Sequence, residues 1–226
     1  MPEIALLDLP DGRRIAYRHR EGRSPTLVFF PGYASDMEGA KALALDDFAQ
    51  KRGLGMLRFD YSGTGSSTSD FGDGTLDKWL EESLAAADRL TEGPLLLIGS
   101  SMGGWIALHV ALRRPLRVQA LVGIAAAPDF TEWGLERETE GLSAEFRRSG
   151  HELRLLDGEI AIDCPVRLIH GEADQDVPLD IAFRTMRALR SADVQLAVIK
   201  GGGHRLSEPR EIDTILRTVA ELLEPI

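Results

Sequence analysis

A single cysteine, Cys164, stands in the 226 residues of this chain, so no internal disulfide is available and no Cys/His spacing suggests zinc. Basic clusters are missing as well. Lys and Arg number 26 against 36 Asp and Glu, a formal net charge of −10. A chain this acidic is a poor candidate for binding nucleic acid or anionic membrane. No apolar run reaches the roughly eighteen residues that a membrane span needs. The opening Met1-Pro2-Glu3 lacks the basic and apolar regions of a signal peptide, and neither a repeat nor a low-complexity linker is found. The expectation is a soluble cytoplasmic protein with no nucleic-acid partner and no stable membrane insertion. Oligomeric state is not readable from the sequence.

What is present is an ordinary globular composition, 43% hydrophobic and 27% charged. A chain of this length fills one core and leaves little room for a second, so a single domain over residues 1–226 is expected. Residues 3–8 and 13–19 read as a hairpin around the Pro10-Asp11-Gly12 turn signal. Short apolar runs follow at Thr26–Phe30, Leu54–Phe59, Leu95–Ile98, Ala120–Ile124, Val166–Ile169 and Val194–Ile199. Such runs suit strands buried on both faces of a parallel sheet. Amphipathic stretches around 39–52, 76–91, 102–114, 180–190 and 209–223 alternate with them, which predicts an α/β fold in three layers. The interval from Asp129 to Ile162 breaks the rhythm. It holds two charged helical candidates, separated by Gly141 and interrupted again at Ser149-Gly150, and it predicts a short insertion at about 129–162, a small lid or, alternatively, one long crossover.

The run "LLLIGSSMGGW", residues 95–105, places Gly99, Ser101 and Gly103 in the Gly-x-Ser-x-Gly register of a nucleophile elbow, a sharp strand-to-helix turn that lifts its middle serine above the sheet. Ser100 is out of register, because Ile98 and Met102 occupy the positions where glycines would be needed. A serine hydroxyl is a weak nucleophile and needs a base, which in turn needs an orienting acid. "HGEADQDVP" puts Asp174 and Asp176 after one strand, and "KGGGHRLSEP" puts His204 in a glycine-rich loop after the next. Ser101, Asp174 and His204 therefore meet at the C-terminal edge of the sheet, where α/β folds place their sites. Asp176 precedes the next helix, and Asp129 is the outside candidate for the acid. The backbone N–H groups of Tyr33 and Met102 are candidate oxyanion donors. Trp105 and Trp133 are candidate lining for an acyl pocket, and Trp79 reads as packing. His109 and His170 read as structural, His19 and His151 as solvated. "FDYSGTGSS" lacks the lysine of a phosphate loop and reads as a structural turn. No metal or organic cofactor is expected.

The strand order with "GSSMG", "HGEADQDVP" and "GGGHR" resembles the α/β-hydrolase fold, whose eight-stranded, mostly parallel sheet is flanked by helices. More narrowly, "FFPGYASDMEGAKALALDDFAQKRG", "LRFDYSGTGSS", "LIGSSMGGWIALH" and "DCPVRLIHG" are similar to the family of mitochondrial α/β-hydrolase-domain palmitoyl-protein thioesterases and acyl-glucuronide esterases. The resemblance implies a serine hydrolase acting on acyl thioesters or activated acyl esters, with Ser101, Asp174 and His204 as its triad. A general carboxylesterase is the alternative, and a non-catalytic binding module on the same fold is a minor one. The chain departs from the family in three ways. Gly203 stands where an aspartate usually precedes the histidine, the insertion is shorter, and no transit peptide is seen. A bacterial relative of the family is the expectation.

Overall fold

The computed structural model describes residues 2–134 and 142–224. The N-terminal hairpin pairs β1 (Ala5–Asp8) with β2 (Arg14–Arg20), turned at Gly12, whose N–H donates to the Leu9 carbonyl and whose φ is +88°. Such a φ favours glycine. β2 then lies antiparallel to β4 (Leu54–Phe59). β3 (Arg23–Phe30), β4, β5 (Leu95–Ser100), β6 (Val118–Ile124), β7 (Val166–Gly171) and β8 (Val194–Ile199) run parallel, in the sheet order β1-β2-β4-β3-β5-β6-β7-β8.

Because side chains alternate across a strand, β3 sends Leu27 and Phe29 to one face and Val28 and Phe30 to the other. The first face packs against α1 (Ala40–Arg52) and α7 (Pro209–Leu223), through Ala42, Leu45, Ala49, Ile215 and Val219. The second packs against α2 (Leu76–Leu90) and α3 (Met102–Arg113). This is the expected three-layer arrangement. β8 departs from the expected two-sided burial: Gln195 and Val198 are exposed. It lies at the edge of the sheet, paired with β7.

Between β6 and β7 lie α4 (Phe130–Trp133) and α5 (Ala144–Glu152). Gly141, the expected separator, falls outside the described residues. The expected break at Ser149-Gly150 does not occur, because α5 runs through both. Contacts from elsewhere in the chain explain this. A Cβ on Gly150 would sit 2.5 Å from the Thr131 side chain, so glycine allows α5 to lie close to α4. The buried Ser149 hydroxyl accepts a hydrogen bond from the Leu76 N–H at 3.0 Å and donates to the Phe146 carbonyl at 2.9 Å. α6 (Leu179–Ala188) connects β7 to β8. Among the described residues, no helix is long and apolar enough to cross a membrane.

Candidate active site

Ser101 occupies the turn between β5 and α3 at φ 54° and ψ −122°. A non-glycine residue with positive φ is strained and persists where its surroundings over-determine it. Here the Ser101 N–H donates to the Ile124 carbonyl at 2.9 Å. The flanking glycines make the close approach possible. A Cβ on Gly103 would lie 2.1 Å from the Phe30 carbonyl oxygen, and one on Gly99 would lie 2.3 Å from that of Gly103.

The three side chains expected at this edge come together. His204 Nε2 lies 3.1 Å from Ser101 Oγ, and His204 Nδ1 lies 2.9 Å from Asp174 Oδ2. The Asp174 carboxylate is 1% exposed, and its other oxygen accepts the N–H groups of Asp176 and Val177, each at 2.9 Å. Burial pushes this carboxyl up, but the His204 ring and the two N–H donors together hold it below its usual value. Asp174 is thus kept as the anion that a histidine base requires.

Asp129, the outside candidate, is committed elsewhere. Its two oxygens accept the N–H groups of Leu155 and Leu156 at 2.8 and 2.7 Å, pinning the end of the β6–β7 interval. His170 is buried, as a structural histidine should be, and its Nε2 lies 2.9 Å from the Val177 carbonyl. It also approaches Asp174 Oδ2 at 3.5 Å, a contact with no signal in the sequence. His109 is buried on α3, and His151 is exposed beside Glu132. His19, expected to be solvated, is instead half-buried on β2.

The loop after β3 brings Gly32 against the elbow: a Cβ there would sit 3.3 Å from Ser101 Cβ. Tyr33 follows it directly. The N–H groups of Tyr33 and Met102 have no protein acceptor among the described residues. The rest of this loop is held from below. Asp60, just past β4, accepts the Met37 N–H at 2.7 Å and the Ser66 N–H at 2.8 Å. The fully buried Arg58 donates to the Met37 carbonyl at 2.5 Å, and the Tyr61 hydroxyl donates to the Pro31 carbonyl at 3.3 Å. The "FDYSGTGSS" segment is structural, as expected, and it fastens the loop beside the serine. Sequence reasoning missed that connection. The available hint was one acid among small residues.

A cavity of about 440 Å³ opens beside Ser101 and His204, walled by the loop after β3, the first turn of α1 and the loop after β8. Trp105 and Trp133 lie elsewhere. Trp105 is buried with its indole N–H on the Leu153 carbonyl, and the half-exposed Trp133 donates to the Pro128 carbonyl. The Tyr33 ring is the centre of an aromatic group with Phe71, Trp79, Phe130 and Phe146, at centroid distances from 5.1 to 6.2 Å. Among the described residues, the group placed to hold a metal ion is Asp174, Asp176 and His204. Asp174 and His204 already bond each other, so a metal there would have to break that contact.

A sequence profile described as the alpha/beta hydrolase fold matches residues 25–145. The chain is 34% identical to the human protein named palmitoyl-protein thioesterase ABHD10, mitochondrial, over 99% of this chain and 81% of that one. It superposes on the mouse alpha/beta hydrolase domain-containing protein 10 with a TM-score of 0.93, at 33% identity and 98% coverage of both chains. A putative hydrolase from Agrobacterium vitis S4 superposes at 0.91, with 36% identity over 98% of this chain and 99% of the other. The expected cytoplasmic location finds no support in these relatives, since the curated one is named mitochondrial. The elbow, the sheet order and these matches agree: the chain belongs to the α/β-hydrolase family.

Proposed function

We propose that this protein hydrolyses acyl thioesters, or activated acyl esters such as acyl glucuronides, through an acyl-enzyme on Ser101. The observation that carries this reading is the unbroken series Ser101 Oγ, His204 Nε2, His204 Nδ1 and Asp174 Oδ2, with gaps of 3.1 and 2.9 Å. His204 takes the serine proton as the hydroxyl attacks the acyl carbonyl, and Asp174 holds the ring in the tautomer that leaves Nε2 free to accept. The N–H groups of Tyr33 and Met102 receive the developing oxyanion. His204 then protonates the departing thiol or alcohol, and water attacks the acyl-enzyme by the same steps reversed.

The thioester preference is inferred from relatives named palmitoyl-protein thioesterase. The described part of the segment from 129 to 162 is read as a cover on the acyl side, where Trp105 packs on Phe130 at 5.7 Å and Phe130 in turn meets Tyr33. The test is a panel of palmitoyl and octanoyl thioesters, short p-nitrophenyl esters and an acyl glucuronide, run with wild type and Ser101→Ala. Long-chain thioester turnover is expected to fall about a thousandfold or more in the variant. A preference for acetyl or butyryl oxoesters would make the protein a general carboxylesterase. Activity that survives Ser101→Ala would remove Ser101 from the mechanism.

A further inference from the structure

The cavity beside Ser101 has a charge pattern that the hydrolytic steps do not use. Its charged lining comprises Lys41, Arg205 and Asp36, two cations to one anion, in a chain whose net charge is −10. The Lys41 ammonium donates to the Arg205 carbonyl, which ties the first turn of α1 to the loop that carries His204. An ammonium has three N–H donors, so this contact leaves two for other acceptors. The exposed Arg205 guanidinium has neither an ion-pair nor a hydrogen-bond partner among the described residues. Among the described residues, neither neighbouring acid forms an ion pair with Lys41 or Arg205. Asp36 accepts the Glu38 N–H at 2.9 Å, and Glu211, near Lys41, accepts the Glu208 N–H in the capping box of α7. The first turn of α1 contains no acidic residue.

The position of the cavity says which half of a substrate enters it. The proton for the leaving atom comes from His204 Nε2, so the leaving group must lie along the wall that His204 forms. Arg205 and Ser207 continue that wall. About 440 Å³ lies within the range of small-molecule sites.

We propose that Lys41 and Arg205 form a subsite for an anionic group, a carboxylate or a phosphate, on the leaving-group half of the substrate. The pair sets specificity at the site assigned above and rests on that hydrolase reading. A uronic acid would supply the carboxylate, and a phosphorylated thiol carrier would supply the phosphate.

The test uses one acyl group, octanoyl, on four thiols: neutral 2-mercaptoethanol, 3-mercaptopropionate, phosphopantetheine and cationic thiocholine. The quantity compared is the kcat/KM of each charged thioester relative to the neutral one. Wild type is expected to favour an anionic thiol about tenfold and to disfavour the cationic one. Arg205→Gln and Lys41→Gln should bring the anionic ratio toward one, and Arg205→Lys should restore part of it. Gly203→Asp adds an acid beside Arg205 where a new Cβ meets nothing within 4 Å, and it should lower the same ratio without removing either cation. Whether the carboxylate or the phosphate thioester gains more identifies the source of the anion. A wild-type ratio near one, or a ratio unchanged in all the variants, overturns the proposal. So does a preference for glutaryl over octanoyl on the neutral thiol that Arg205→Gln abolishes, because it would put the anion on the acyl half. Labelling of Ser101 by a fluorophosphonate separates this failure from failure of the hydrolase reading: a labelled enzyme without anion preference refutes only the subsite.

Discussion

Asp60 does not line the cavity beside Ser101, yet it holds the loop that does. It is 1% exposed, and its two oxygens accept the N–H groups of Met37 and Ser66 from opposite sides. Met37 lies four residues beyond Tyr33, whose N–H is the proposed oxyanion donor. Asp60→Asn would present an amide N–H to one of those donors and leave it unsatisfied, at a cost of about 1–3 kcal/mol. Losing an oxyanion donor outright costs about a hundredfold or more in kcat, and a loosened loop should cost a part of that. The expected result is a kcat about tenfold lower with KM less affected, and Ser101 still reactive toward a fluorophosphonate. A loss confined to KM would mean that Asp60 shapes binding and does not position the donor. The contrast with Ser101, Asp174 and His204 explains what was readable. Those three follow from local patterns at three strand ends, while the Asp60–Met37 bond joins residues 23 apart that look unrelated in the sequence.

At the scale of elements, the chain announces its strands well and its insertion poorly. The apolar runs at 54–59 and 194–199 have the boundaries of β4 and β8, and the amphipathic stretch 209–223 matches α7, where Pro209 and a capping box mark the start. α5 was hidden because Ser149 and Gly150 are weak helix formers judged locally. Contacts with α2 and Thr131 override that preference. Thr75, at the N-cap of α2, makes no side-chain capping bond, and the Ser149 hydroxyl from α5 accepts the Leu76 N–H in its place. Ser149→Ala should therefore leave a buried N–H unpaired and cost about 1–3 kcal/mol. For a domain of this size that is a fall in Tm of roughly 2–4 °C per kcal/mol, measurable by calorimetry. A variant as stable as wild type would show that water satisfies Leu76 and that α5 is not held there.

For the whole molecule, the groups buried in the layers decide how stability changes with pH. His109 on α3 is buried and neutral: Arg113 donates to its Nδ1 at 3.0 Å, leaving Nε2 to donate to the Leu153 carbonyl at 2.8 Å. Burial lowers its pKa from 6.5 to about 4, and the Arg113 charge adds to the effect. In the unfolded chain the imidazole protonates near its ordinary value, while the folded chain resists until about pH 4. The stabilising term is thus complete above pH 6.5 and shrinks as the pH falls toward 4, because the unfolded state binds the proton first. Between pH 7 and pH 5 it loses about 2 kcal/mol, a drop of roughly 4–8 °C in Tm. Buried carboxyls such as Glu82 and Asp129, whose pKa values burial raises, act in the opposite sense and are common to any pair of variants compared. His109→Gln isolates the histidine, since its amide can donate to Leu153 and accept from Arg113 without titrating. Calorimetry of both proteins at pH 7 and pH 5 should show a smaller loss of Tm in the variant by about that amount. Equal losses would mean that His109 takes up its proton in the folded state, and that the α3 contact with Leu153 opens above pH 5.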